Sequence, residues 1–150
     1  MLRLALYQPD IPQNTGTVLR MAACLGVAVE IIEPAGFDVS DRHLRRAGLD
    51  YLDYVAITRH RSWQAFEAWR REAGIRLVLA TTNGALPYTD LAFRDRDCIL
   101  MGRESAGVPE AVHVAADARV VVPIRPGMRS LNVAVAAAMI LGEGLRQVGA

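Results

Sequence analysis

The sequence predicts an α/β domain built on a mainly parallel sheet with helices covering both faces. Two observations carry this. Short apolar runs alternate with stretches of helical spacing along the whole chain, and several of those runs have no polar face, the mark of strands buried on both sides. The 150 residues suit a single domain spanning 1–150, large enough to bury a core without disulfides or a structural metal.

Leu2 to Tyr7, bounded by Pro9 and Pro12, reads as the first strand. Gln13 to Leu25 follows with Val18, Leu19, Ala22 and Leu25 on one helical face and Gly26 as its stop. Val27 to Ile32 is the next strand. Ser40 or Asp41 can cap a short helix, after which Asp53 to Thr58 returns as a strand. Ser62 precedes the amphipathic stretch WQAFEAWRREAG, which ends at Gly74. Ile75 to Thr82, Asp97 to Gly102 and Arg119 to Ile124 are strands of the wholly apolar kind, and each runs into a loop rich in Gly, Pro or polar residues. Ligands of parallel sheets gather beyond the strand C-termini, so these three loops are the first candidates for a site.

Composition narrows the class. Hydrophobic residues make up 52% and charged residues 22%, with a formal net charge of +1, so nucleic-acid binding would have to come from local patches. Cys24 and Cys98 are far apart and outside any C-x-x-C pair, which fits two reduced thiols. The apolar starts of the first strand and of the last helix are too short for a signal h-region or a membrane span, so a soluble, cytoplasmic protein is expected. No metal is expected, since His43, His60 and His113 show no ligand spacing. Trp63, Phe66 and Trp69 fall at i, i+3 and i+6, a packing face before a base-stacking platform.

Three segments carry chemistry. In NTGTVLR, Asn14 or Thr15 can cap the first helix, Gly16 permits close approach, and Arg20 lies one and a half turns on. In MGRESAGVPE, Gly102 and Gly107 expose main-chain amides, Glu104 supplies a carboxylate, and Pro109 suits the first turn of a short helix. This is not a Walker A loop, for it lacks the Lys-Ser/Thr pair, and no G-x-G-x-x-G occurs. In IRPGMRSLNVAVAAAMIL, Arg129, Ser130 and Asn132 flank a helix start that could hold a polar ligand, or Ser130 could simply cap a core helix. Arg42, Arg45 and Arg46 would share one helical face, and Arg59 ends a strand, a patch suited either to a phosphate backbone or to solvent.

Taken together, NTGTVLR, ILMGRESAGVPE and VVVPIRPGMRSLNVAVAAAMILGE resemble the three motifs of the SPOUT superfamily of RNA methyltransferases. The segments ALYQPDIPQNTGTVLRMAA, IIEPAGF and LRRAGLDYLDYVAITRH are similar to the small tRNA (cytidine/uridine) 2′-O-methyltransferases that act on the wobble nucleotide, position 34. The resemblance spans the chain. It implies a deep C-terminal trefoil knot, an exception to the usual unknotted topology, a homodimer, and S-adenosyl-L-methionine bound in the knotted loops. Ala80, Thr81, Met101, Gly102, Glu104, Val122, Ile124, Ser130 and Leu131 would line the cofactor. Asn14, Arg20, Ser130 and Asn132 would serve catalysis, and Arg42, Arg45, Arg46, Arg59 and Arg103 would meet tRNA.

The implied reaction is attack of a ribose 2′-hydroxyl on a sulfonium methyl. A guanidinium stays protonated, so Arg20 would orient the ribose and stabilise the developing alkoxide, with a phosphate oxygen or water taking the proton. Two positions depart from the family pattern: Arg103 and Ala106 stand where Pro and Arg are usual, and Ala134-Val135 stand where the wobble enzymes often carry Ser-Asn. The same chemistry on ribosomal RNA or another tRNA position, and a catalytically silent RNA-binding dimer, are the alternatives.

Overall fold

In a computed structural model, which describes residues 1–37, 53–83 and 85–149, the chain begins β1 (Arg3–Tyr7), α1 (Pro12–Leu25), β2 (Ala28–Ile32) and β3 (Ile57–His60). It continues through α2 (Trp63–Ala73), β4 (Leu77–Ala80), β5 (Leu86–Pro87), a short 3₁₀ helix (Tyr88–Asp90) and β6 (Cys98–Met101). Then come α3 (Glu110–Ala115), β7 (Ala118–Val121) and α4 (Val133–Val148). Among the described residues the strands form one seven-stranded sheet, ordered β3-β2-β1-β6-β4-β7-β5, and every pairing is parallel.

The apolar strands are buried on both faces because each face has its own helices. Leu4, Leu6, Ile99 and Met101 pack with Val18 and Leu19 of α1 and with Ala137 and Ile140 of α4. Ala5, Tyr7, Leu79 and Leu100 point the other way, onto Phe66 of α2 and Val112 of α3. Each such leucine removed fully from water contributes about 2 kcal/mol. The small residues of α4 let it lie close to the sheet and α1, while Val135 and Met139 on its outer side are 49% and 39% exposed.

Local signals set most boundaries. Ser62 Oγ accepts the Ala65 N–H at 3.0 Å, and Gly74 closes α2 in the left-handed conformation. Three starts differ from the sequence reading. α1 begins at Pro12 with Ile11 as its N-cap, not Asn14 or Thr15, because proline is preorganised for the first helical position. α4 is capped by Asn132, not Ser130. Pro109 is the N-cap of α3 instead of lying inside its first turn.

The third strand lies at Ile57–His60, later than Asp53 to Thr58, in register with Val29 to Ile32. Buried polar groups explain the shift: His60 Nε2 meets Glu30 Oε1 at 2.8 Å, and Arg3 Nη1 donates to Glu30 Oε2 at 3.1 Å. A buried carboxylate needs such partners, so the sheet slides until they meet. His60 also packs against Phe66 and Trp69, ring centroids 5.3 and 5.0 Å away, so the aromatic row of α2 is a packing face. The short helix expected after Ser40 or Asp41, with Arg42, Arg45 and Arg46, lies outside the described residues. Among the described residues no helix is long and apolar enough to cross a membrane.

Candidate active site

Strand order reverses between β1 and β6, since β2 and β3 extend to one side and β4, β7 and β5 to the other. That is where a parallel sheet opens a crevice at its C-terminal edge. A cavity of about 660 Å³ lies beside that point, at the ends of the neighbouring strands β6, β4 and β7, within the range that holds a small molecule. Ala80 and Thr81 form one wall. Met101, Gly102 and Glu104 form the second, and Val122, Ile124, Ser130 and Leu131 the third.

The loop after β6 is folded on itself. Arg103 and Gly107 exchange main-chain hydrogen bonds of 3.1 and 3.0 Å across an isolated antiparallel bridge. A Cβ at Gly102 would lie 3.0 Å from Gly107 Cα and C, so only glycine allows the bridge to close. The guanidinium of Arg103 donates from Nε to the Gly107 carbonyl at 3.0 Å and lies 5.4 Å from the Tyr7 ring centroid, a cation–π contact. Arg103 thus holds the loop as well as lining the cavity.

A line of side chains ties the three segments together. Asn132 Oδ1 accepts the N–H groups of Ala134 and Val135, at 2.8 and 3.2 Å. That turns its amide nitrogen to donate to Asn14 Oδ1 at 2.9 Å, and Asn14 in turn donates from Nδ2 to Glu104 Oε1 at 3.4 Å. The helix cap therefore fixes the direction of both amides, and Glu104 is the acceptor at the end. Removal from water pushes the Glu104 carboxyl above the usual range, and the hydrogen bond it donates to the Asp10 carboxylate adds to this. The same bond holds Asp10 below the usual range. Asn132→Ala should cost about 1 kcal/mol in lost capping, read as a lower Tm, and should also release Asn14.

All nine residues expected to line a cofactor lie on this one cavity, together with Asn14, Asn132 and Arg103. Arg20 and Arg59 do not: Arg20 is on the exposed side of α1, and Arg59 is exposed on the edge strand β3. Arg129, read in the sequence as flanking the helix start, and Asn83, in the loop after β4, also line the cavity, as does His113, which sequence reasoning passed over as a lining residue. Their signal was position, just past a strand end or on the helix that follows one. The walls suit an adenosine and an amino acid group, with apolar Val122, Ile124 and Leu131 beside the carboxylate of Glu104 and the hydroxyls of Thr81 and Ser130. Among the described residues no group of three or more His, Cys, Asp or Glu could hold a metal ion.

Comparison with known proteins bears on the fold and the family. A tRNA (cytidine(34)-2′-O)-methyltransferase of Beijerinckia indica is 73% identical over 147 residues, covering 98% of this chain and 92% of that protein. A solved structure described as giving insights into the 2-OH methylation of C/U34 on tRNA is 41% identical, with a TM-score of 0.92 over 98% of this chain and 95% of its own. The SpoU methyltransferase AviRb from Streptomyces viridochromogenes, in complex with AdoMet, is 31% identical with a TM-score of 0.88, covering 98% of this chain and 60% of its own. The SpoU rRNA Methylase family model matches residues 1–142. A parallel sheet with its cavity at the strand ends, a glutamate held by Asn14 and through it by Asn132, and a match over nearly the whole length have one reading: the chain belongs to the SpoU methylase family.

Proposed function

We propose that this protein transfers a methyl group from S-adenosyl-L-methionine to the ribose 2′-hydroxyl of the cytidine or uridine at position 34 of tRNA. The observation that carries the reading is the cavity that gathers Glu104, Asn14, Asn132 and three strand ends in a chain so similar to proteins named for that reaction. The cofactor, when bound, supplies an electrophilic methyl on a sulfonium. Main-chain groups around Gly102, Val122, Ile124 and Leu131 bind its adenosine, and Thr81, Glu104 and Ser130 take its polar groups. Asn14 and Asn132 keep Glu104 in place.

Arg20 orients the ribose and stabilises the oxygen as its proton leaves to a phosphate oxygen or water. Arg103 and Arg59 meet the phosphate backbone, joined by Arg42, Arg45 and Arg46. The protein works in the cytoplasm with its substrate, as one domain over 1–150 and as a homodimer. The exposed Val135 and Met139 on α4 support a partner subunit there. A C-terminal trefoil knot is part of this reading. The segment from Val122 to Asn132 has no regular element and lines the same cavity as the loops after β4 and β6, as a threaded segment would.

Purified protein should transfer labelled methyl from S-adenosyl-L-methionine to bulk tRNA of a strain lacking the activity. Absence of transfer there, with cofactor binding intact, would favour ribosomal RNA as substrate. Absence of both would favour a silent RNA-binding dimer.

A further inference from the structure

Asp10 belongs to none of the three motifs, yet through it the loop after β1 grips the loop after β6. Its main-chain N–H donates to Glu104 Oε2 at 3.5 Å, and its carboxylate accepts the hydroxyl of Ser105. A hydrogen bond also joins the Asp10 and Glu104 side chains. Asp10 is held from behind. Gln8 takes a left-handed φ of 42° and donates its N–H to Ile32 at 2.8 Å. Gly36 donates to the Pro9 carbonyl at 2.8 Å, and a Cβ at 36 would lie 3.0 Å from both Cα and Cβ of Asp10.

The segment after β2 therefore packs against the backbone of Asp10. This placement carries a cost, since Asp10 Oδ1 is buried with no hydrogen-bond partner among the described residues. Native proteins retain such a group where it has a task. Asp10 does not line the cavity, so any effect on chemistry passes through Glu104. Arg103 faces elsewhere, over Tyr7.

We propose that Asp10 is a positioning residue for the methyl transfer set out above: with Ser105 it holds the Glu104 carboxyl against Asn14 at the cavity wall. The inference rests on that reading of the site. It makes Glu104 the point where the loop after β1, the start of α1 and the loop after β6 converge. The Asp10 carboxylate also leaves the proton of the pair with Glu104, whose burial already favours the neutral form.

The test is a double-mutant cycle in the full-length protein. Asp10→Asn and Ser105→Ala should each lower kcat about tenfold, while Asp10→Asn added to Glu104→Gln should cost less than about twofold more, because residues acting through one another are not additive. Ser105 is exposed, so its variant folds even if Asp10→Asn does not. A second readout needs no turnover. Carbon-13 NMR of the glutamate carboxyls should show the Glu104 midpoint falling in Asp10→Asn, though burial keeps it above the ordinary value.

Equal loss from Asp10→Asn in both backgrounds, or an unmoved Glu104 midpoint, overturns the role. If the unmodified protein transfers no methyl group, the functional reading fails instead, and the Glu104 titration still decides the question for Asp10.

Discussion

Arg20→Ala should lower kcat by about a hundredfold to a thousandfold, the worth of one preorganised charge-stabilising group. It should leave the dissociation constant of S-adenosylhomocysteine within about threefold of the original. The split follows from position. Arg20 sits on the exposed side of α1, outside the cavity lined by Thr81, Glu104 and Ile124, so the cofactor does not depend on it. In the proposed reaction its place is with the ribose. Steady-state kinetics on tRNA and calorimetric titration with the product cofactor separate the two effects, and an equal loss in both would remove Arg20 from the chemistry. Arg20→Lys should recover only part of the rate, because a point charge cannot reproduce a planar fork of donors.

Gly102→Ala should do the reverse. The new Cβ meets Gly107 Cα and C at 3.0 Å, and these are backbone atoms that cannot rotate away. The Arg103–Gly107 bridge must then open, and overpacking of this kind costs about 1–3 kcal/mol. Cofactor affinity should fall about fivefold to a hundredfold, since that strain of about 1–3 kcal/mol is set against the bound loop. The sheet strand before it, with Ile99 and Leu100 fully buried, should keep the fold. Calorimetric titration and a thermal melt check this together. An unchanged dissociation constant would mean that the loop adopts its bound form without the bridge.

Much of this was legible because local rules and tertiary packing agree. Ser62 and Gly74 mark both ends of α2, and the fully apolar runs of β4 and β6 announced a sheet covered on both faces. The misreadings arose where a distant partner decides. β3 slides to bring His60 to Glu30, a contact across 30 residues of sequence. Asn132 caps α4 because it also reaches Asn14, 118 residues away, and no local pattern separates it from Ser130 two positions earlier. β5 has two residues, too few to show a period.

The two departures from the family pattern also gain a physical account. Ala134 and Val135 contribute their main-chain N–H groups to Asn132, which any side chains there would allow. Arg103 is anchored to Gly107 and Tyr7, so the shifted charge is built into the loop. Neither change touches the line from Asn132 through Asn14 to Glu104.

The central claim is tested most directly by mapping the product. Bulk tRNA from a strain lacking the activity, incubated with purified protein and S-adenosyl-L-methionine, is digested and sequenced by mass spectrometry. One new 2′-O-methyl group is expected, on cytidine or uridine at position 34. A methyl group at any other tRNA position, or one found only on ribosomal RNA, would contradict it.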